Sequence, residues 1–265
     1  MRTPSLVVVL SLLAVPALSG GPAPDAAAQT ADEVVEKHLA ALGGREPLGK
    51  LTSRHSIGTV AIATPDGQLS GPIELFTKQP NKSRISMQLD LSDMGVTEKM
   101  LAEQRFDGAS AWALNSLQGD SEITGNRLDN LRNNVFPSAL LSYKSAGTKL
   151  EVEPRTQHAG RDVIVLVATP KAGSVVRLFL DAETYLLVRT VSKVDFPQAG
   201  GEVEQTSEPS DYRTVDGVKV PFQIVNSTPT QTATIKLTKV EHNVPMDDAM
   251  FRAKAPAPAS SPAWR

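Results

Sequence analysis

The segment Arg84–Leu91, which reads RISMQLDL, alternates between polar and apolar side chains without a break. Successive side chains of a β-strand point to opposite faces, so this alternation predicts a strand with one apolar face. The apolar face would hold Ile85, Met87, Leu89 and Leu91. A strand that covers a core with one face only is typical of an antiparallel sheet.

The same period of two recurs on both sides of this segment, and Gly, Pro, Asn and Asp residues separate most of the runs. Tight turns join neighbouring antiparallel strands, so we expect one antiparallel sheet of about 11–12 strands, which tends to curl. The predicted strands are Arg54–Thr64, Gln68–Gln79, Arg84–Leu91, Lys99–Phe106, Ser110–Ser116, Thr148–Glu153, Asp162–Ala168, Ser174–Leu180, Leu186–Val194, Glu202–Arg213, Lys219–Asn226 and Thr232–Val240.

Helical patterns occur at two places. Before the strands, Thr30 and Glu33 have the spacing of a capping box, and Gly43-Gly44 would end the helix. Between the strands, Asn126 is predicted to cap a helix over residues 127–132, and an apolar helical turn follows at 135–141. The fold class is therefore mainly β (α+β), with an N-terminal helix and a central helical insert on the concave face. The insert would plug the sheet, cover an apolar cavity as a lid, or do both.

Both ends of the chain differ in composition from the strand region. Residues 1–28 combine Arg2, a short apolar run and Ala26-Ala27-Ala28, which is the layout of a secretory signal peptide cleaved near Ala28. Residues 253–265 are rich in Ala, Pro and Ser and are predicted to be disordered. One folded domain, residues 29–252, is expected between them, in an exported protein.

Composition argues against several function classes. The 265 residues include no cysteine, which excludes a disulfide scaffold, thiol catalysis and a bacterial lipoprotein anchor. The net charge is −2, and the sequence contains no basic stripe of the kind that binds nucleic acid. No metal-ligand motif, nucleophile elbow or phosphate loop is present, so we expect no enzyme, no catalytic residue, no metal and no cofactor. Of the histidines, His38 lies on the apolar stripe of the first helix and is predicted to be a satisfied core or boundary residue. Asp247-Asp248 is predicted to begin a short helix.

Four phrases carry a resemblance to a known family. They are Lys78-Gln79-Pro80-Asn81, Phe106-Asp107-Gly108 followed by Trp112, the stretch Asp211–Pro221, and the closing phrase Asn243–Phe251 with its Asn, Pro, Asp and Phe. In this order, behind a helix and a signal peptide, they resemble the LolA-type family of periplasmic lipoprotein carriers and outer-membrane lipoprotein-sorting proteins. The aromatic content of 5% and the additional strands around Asp211–Pro221 depart from the shorter carriers.

The resemblance implies an incomplete, strongly curved barrel whose open side is capped by helices. It also implies a soluble, unanchored periplasmic protein that carries lipids or lipoprotein acyl chains in an apolar cavity. Its partners would be a lipid or acylated lipoprotein cargo and membrane-bound donor and acceptor proteins. The alternative is a periplasmic sensor or scaffold that has this same fold and binds a protein partner. The residues expected to line the cavity are Ile85, Met87, Leu89, Trp112, Leu114, Phe136, Leu140 and Leu141.

Overall fold

A computed structural model describes residues 29–196 and 201–252; the predicted signal peptide 1–28 and tail 253–265 lie outside the described residues. The strands are β1 Ser53–Thr64, β2 Gly67–Lys78, β3 Lys82–Leu89, β4 Met100–Phe106, β5 Ala111–Asn115, β6 Ser121–Ile123, β7 Lys149–His158, β8 Arg161–Thr169, β9 Val176–Asp181, β10 Leu187–Phe196, β11 Gly201–Val215, β12 Val218–Thr228 and β13 Gln231–His242. They form one 13-stranded sheet in the order β6-β5-β4-β3-β2-β1-β13-β12-β11-β10-β9-β8-β7. Strands β6 and β7 are its two edges, so the curved antiparallel sheet is an incomplete barrel.

The predicted antiparallel sheet is confirmed, with one more strand than the sequence indicated. The additional strand is β6, whose three residues Ser121–Ile123 are too few to show an alternating pattern. It pairs with β5 through Ala111 and Ile123, among others. Strand β7 also continues to His158, past the predicted end at Glu153, through an irregular pairing with β8.

The helices are α1 Ala31–Ala41, α2 Arg45–Gly49, α3 Gly125–Asn133 and α4 Tyr143–Ala146, and short 3-10 helices lie at Ser92–Met94, Ala139–Leu141 and Asp248–Phe251. The capping box of α1 is present, because the Thr30 hydroxyl accepts from the Glu33 amide and the Glu33 carboxylate accepts from the Thr30 amide. The prediction that Asn126 caps α3 is wrong. Thr124 holds the cap position, and Asn126 lies inside the helix with its amide donating to Ser174. None of the described helices combines the length and apolar character needed to cross a membrane.

The two faces of the sheet are unlike. Directly paired residues share a face, and the inner face carries the buried core under α1 and the central insert, residues 124–148. There, Val35 and Leu39 of α1 pack in one cluster with Phe136 and Leu140 of the insert and Leu166 of β8. The outer face carries ion pairs such as Arg84–Glu103, at 2.7 Å.

The phrases that resemble the family meet at one end of the sheet. Asp248 forms ion pairs with Lys78 at 2.8 Å and with Lys82 at 2.5 Å, which ties the closing phrase to the β2–β3 hairpin. Asp247 accepts a hydrogen bond from the Ala249 amide at 2.8 Å and caps the last 3-10 helix, as predicted. Gly108, with φ of +100°, leaves room for Asn81, because an added Cβ would lie 3.1 Å from its Oδ1. These phrases therefore stabilise a junction of the fold.

Candidate functional site

A cavity lies between the insert and the inner face of strands β8 to β11. Its volume is about 740 Å³, inside the range of about 300–1,000 Å³ that is usual for ligand pockets. The sheet side is lined by Ala168, Val176, Leu178, Leu187, Thr190, Ser192, Val194 and Gln205. The insert side includes Arg127, Asn130, Leu131, Asn133, Asn134, Ser138, Ala139, Leu140 and Tyr143.

The floor of the cavity changes from apolar to polar across the sheet. One row of paired residues runs from Ala168 of β8 through Val176 of β9 and Ser192 of β10 to Gln205 of β11. The next row continues the pattern, because Leu178 of β9 lies opposite Thr190 of β10. In these two rows, strands β8 and β9 supply hydrocarbon and strands β10 and β11 supply hydroxyl and amide groups, while Leu187 and Val194 add apolar positions on β10.

Side-chain amides connect the roof of the cavity to the sheet. The Asn130 side chain accepts from the Ser174 amide at 2.7 Å, and the Asn133 side chain donates to the Ala172 carbonyl at 2.7 Å. Gly173, with φ of +93°, permits this contact, since a Cβ there would lie 2.7 Å from the Asn133 Nδ2. Helix α3 is therefore fixed over β10 by the loop before β9.

A second connection joins the roof to α1. The Tyr143 hydroxyl and the Lys144 ammonium both donate to the Asp32 carboxylate, and these hydrogen bonds lower the pKa of Asp32. The Arg45 guanidinium donates to the Leu141 carbonyl at 3.4 Å and pairs with Glu36. The side of the insert that ends at α4 is therefore held by exposed polar contacts in addition to the buried side chains of Leu140 and Tyr143.

Arg127 of α3 gives the cavity a permanent positive charge. It is partly buried, and among the described residues its guanidinium forms no ion pair or hydrogen bond. The side chains of Thr190, Ser192 and Gln205 likewise form no hydrogen bond with any group in the described ranges 29–196 and 201–252. None of the described lining residues is Asp or Glu.

His38 reaches the cavity from α1 and is only 5% exposed. Its Nδ1 lies 2.8 Å from the Tyr185 carbonyl oxygen, which accepts hydrogen bonds only, so Nδ1 carries the proton. Burial lowers the pKa of His38, and the neutral ring leaves Nε2 as an acceptor. The predicted buried position of His38 is confirmed, with Nδ1 hydrogen-bonded and Nε2 without a partner among the described residues, and the side chain also contributes to the lining.

Of the residues predicted to line a cavity, the structure places Leu140 in this one. Phe136 and Leu140 are 7% and 6% exposed and belong to one core cluster, in which Leu141 is partly buried. Leu141 also borders a smaller pocket of about 290 Å³ beside Arg45. Ile85, Met87 and Leu89 point to the inner face, as expected from their alternation. They pack in a separate cluster around Val60, Leu69 and Ile73.

Trp112 and Leu114 lie on the other face of the sheet. Trp112 is paired with Arg105 and Leu114 with Glu103, and both partners belong to the outer-face ion cluster. The inward positions of β5 are the small residues Ala111 and Ala113, followed by Asn115 at the end of the strand. Space there is filled by Phe106, Ile123 and the α3 side chains Leu128 and Leu131. The eight predicted residues therefore do not form a single lining.

Arg54 is a polar residue of the inner face that sequence reasoning missed. Its guanidinium lies 5.3 Å from the centre of the Phe136 ring, and its Nε donates to His242 Nε2 at 3.0 Å. Burial lowers the pKa of Arg54 to about 10. The other ring nitrogen of His242 is 3.1 Å from Asp216. This chain of contacts positions Phe136 at the base of the insert.

No three His, Asp or Glu side chains of residues 29–196 and 201–252 converge as metal ligands would. The polar groups of the lining are amides, hydroxyls, one guanidinium and one neutral imidazole. Such a set forms hydrogen bonds with a ligand and contributes one positive charge. The apolar side shields hydrocarbon from water.

Comparisons with known proteins identify the fold. No protein-family model and no curated protein matches the chain. A LolA superfamily protein of Nitrosomonas europaea matches with a TM-score of 0.55 and 14% identity over 85% of this chain and 99% of that one. A Vibrio parahaemolyticus domain named for outer membrane lipoprotein sorting has a TM-score of 0.55 and 9% identity, over 83% and 97%. A DUF1329 family protein of Desulfovibrio piger has a TM-score of 0.56 and 13% identity, over 84% and 98%. The chain therefore has a LolA-like fold.

Proposed function

We propose that this protein is a soluble periplasmic carrier or binder of lipids or lipoprotein acyl chains, which occupy the cavity beneath the insert. The observation that carries this proposal is the cavity of about 740 Å³, with hydrocarbon on β8 and β9 and a helical roof. Each buried CH₂ group contributes about 0.8 kcal/mol, so a shielded chain of several carbons is stabilised against water. Binding and release require no chemical step, and the proposed role is not catalytic.

The test is displacement of a fluorescent fatty acid from the purified protein, combined with native mass spectrometry of the protein as isolated. We expect saturable binding of one probe and a co-purified mass in the range of a lipid. Absence of both would contradict the proposal. Export is tested separately by N-terminal sequencing of the protein from the periplasm, which should begin at Gln29 if residues 1–28 are a signal peptide.

A periplasmic sensor or scaffold is the second candidate, and the exposed apolar residues favour it. Val96, Leu101, Leu117 and Val175 are 37%, 53%, 46% and 47% exposed. They lie in or beside the β3–β4, β5–β6 and β8–β9 connections, which the antiparallel order places at the same end of the sheet. Exposed apolar side chains at one end of the sheet offer a surface for a protein partner.

Cross-linking in the cell envelope distinguishes the two candidates. If the sheet end binds a protein, the Leu101→Ser, Leu117→Ser double variant should lose one stoichiometric cross-linked partner and retain binding of the fatty-acid probe. If no partner is found and the probe binds, the carrier interpretation stands alone.

A further inference from the structure

Resting on the proposed function, we infer that the cargo is a single-chain amphiphile with an anionic head, and that Arg127 binds that head. The chemistry is a carboxylate or a phosphate attached to one acyl chain. This names the substrate class that the cavity would select, beyond a general affinity for hydrocarbon.

The first argument is charge. Arg127 is permanently protonated, it lies in the lining, and among the described residues it has no carboxylate partner. His38 adds no charge, because burial lowers its pKa and the ring stays neutral. A cation that is partly removed from water, with no acid beside it in the described lining, favours an anionic ligand group.

The second argument is the position of the polar groups. Helix α3, which carries Arg127, packs against β10, and β10 supplies Thr190 and Ser192 to the floor. Gln205 lies directly opposite Ser192 on β11. These three floor residues have no hydrogen-bond partner within residues 29–196 and 201–252. A head group between them and Arg127 would accept hydrogen bonds from both sides of the cavity.

The third argument is size and order. The hydrocarbon of Val176 and Leu178 begins one strand away from the polar groups, on β9. A ligand that lies across the strands therefore meets polar groups at one end and apolar groups at the other. A volume of about 740 Å³ is in the range for one drug-sized molecule, which fits one chain with its head.

The His38 ring adds one hydrogen-bond acceptor to this cavity. Its side chain is 5% exposed, and its Nε2 acceptor has no partner among the described residues. Nε2 is not among the buried side-chain atoms that lack a hydrogen bond, so it is accessible from the cavity and can accept from a donor group such as a ligand hydroxyl. The anionic head itself is assigned to Arg127, because Nε2 is an acceptor.

The test measures binding of three probes to the purified full chain by isothermal titration calorimetry. Oleate and 1-oleoyl-lysophosphatidylglycerol are the anionic probes, and 1-monooleoylglycerol is the neutral probe. We expect both anionic probes, or one of them, to bind at least about tenfold more tightly than the neutral one. The stronger of the two anionic probes identifies the head as a carboxylate or a phosphate.

Variants of α3 test the role of Arg127. Arg127→Gln should remove the preference, because it weakens binding of the anionic probes more than binding of 1-monooleoylglycerol, and urea unfolding shows that the variant is folded. Arg127→Lys should restore most of the preference. Arg132→Gln is the matched control, because Arg132 belongs to the same helix but pairs with Asp129 at 2.9 Å and does not line the cavity.

The possible failures are distinguishable. Equal binding of all three probes, or a preference that survives in Arg127→Gln, would overturn the inference and leave the carrier function in place. If none of the three probes binds, both the proposed function and this inference are contradicted.

Discussion

Val176 and Ser192 lie directly opposite each other on strands β9 and β10, and the cavity floor changes from hydrocarbon to hydroxyl between them. Neighbouring strands are about 4.8 Å apart, so this boundary is only one strand wide. A ligand that bridges it buries its chain on one side and hydrogen-bonds on the other. The sheet register therefore fixes the direction in which a bound amphiphile would lie.

Filling the cavity from the floor should block ligand binding without unfolding the protein. In Ala168→Phe, the new ring would enter existing space, so the free energy of unfolding should change by less than about 1 kcal/mol. The ring takes the room of about two CH₂ groups of the ligand, so the affinity for the fatty-acid probe should fall at least about tenfold. Titration of the probe and urea unfolding measure the two effects.

Val167→Phe is the matched control for this variant. Val167 is the preceding residue of β8 and pairs with Arg177, so its side chain points to the outer face. It should leave probe affinity within about twofold of the original. Equal weakening by both variants would show that the cavity floor is not the binding surface.

Trp112 should not report on a ligand in the cavity, because it lies on the outer face opposite Arg105. In a Trp264→Phe background, a brominated fatty acid should leave the fluorescence of Trp112 unquenched. Trp112→Ser should likewise bind the fatty-acid probe with unchanged affinity. Strong quenching at saturation would indicate that the ligand binds on the outer face and would contradict binding in the cavity beneath the insert.

The sequence predicted the sheet well because its signals are local. Alternation in segments such as Arg84–Leu91 and turn residues such as Asp107-Gly108 set strand positions without long-range information. Asp107 fulfils the turn role, since its carboxylate accepts from the amides of Ala109 and Ser110. Strand β6 was missed because three residues are too short for any period to appear.

The site was harder to predict because it depends on the curvature of the sheet and on the phase of each strand. Both large apolar residues of β5, Trp112 and Leu114, point outward, because Leu128 and Leu131 of α3 pack against Ala111 and Ala113 on the inner side. No local rule indicates that packing. The polar floor could not be predicted from the sequence either. Its residues Thr190, Ser192 and Gln205 are of types that commonly occur on an exposed strand face. Only the register of β10 and β11 places them together.

His38 should make stability depend on pH below neutrality. Its pKa in the folded protein is lowered by burial, so the unfolded chain, with a pKa of about 6.5, binds the proton first. The contribution of His38 to the free energy of unfolding should be fully present above pH 6.5 and should be lost as the pH drops below it. Urea unfolding at pH 7.5 and 5.5 measures the difference.

His38→Asn is the corresponding variant, because the amide retains a donor for the Tyr185 carbonyl and does not titrate. It should reduce the loss of stability between the two pH values. His242, whose pKa is also lowered by burial, should account for part of what remains. An unchanged pH dependence in the variant would show that His38 is not the titrating group.

Asp248 should contribute to stability down to strongly acidic pH. The hydrogen bonds from Lys78 and Lys82 lower its pKa to about 2, below the ordinary value of the carboxyl group. Its contribution is therefore present above about pH 4 and is lost as the pH falls toward 2. The Tm of Asp248→Asn should lie below that of the original protein at pH 6, and the two should converge near pH 2. A constant difference would contradict an ionic role.

Asp32 should control how fast a ligand enters, because Tyr143 and Lys144 of the insert both donate to its carboxylate. Asp32→Asn removes the charge that holds them, while the contacts of Asn130 and Asn133 retain the other side of the roof. We expect the association and dissociation rates of the fatty-acid probe to rise together, and the affinity to change less than either rate. Stopped-flow fluorescence measures both. Asp129→Asn, which removes an ion pair within α3, is the control and should leave the rates unchanged. Unaltered rates in Asp32→Asn would show that ligands enter without movement of the insert.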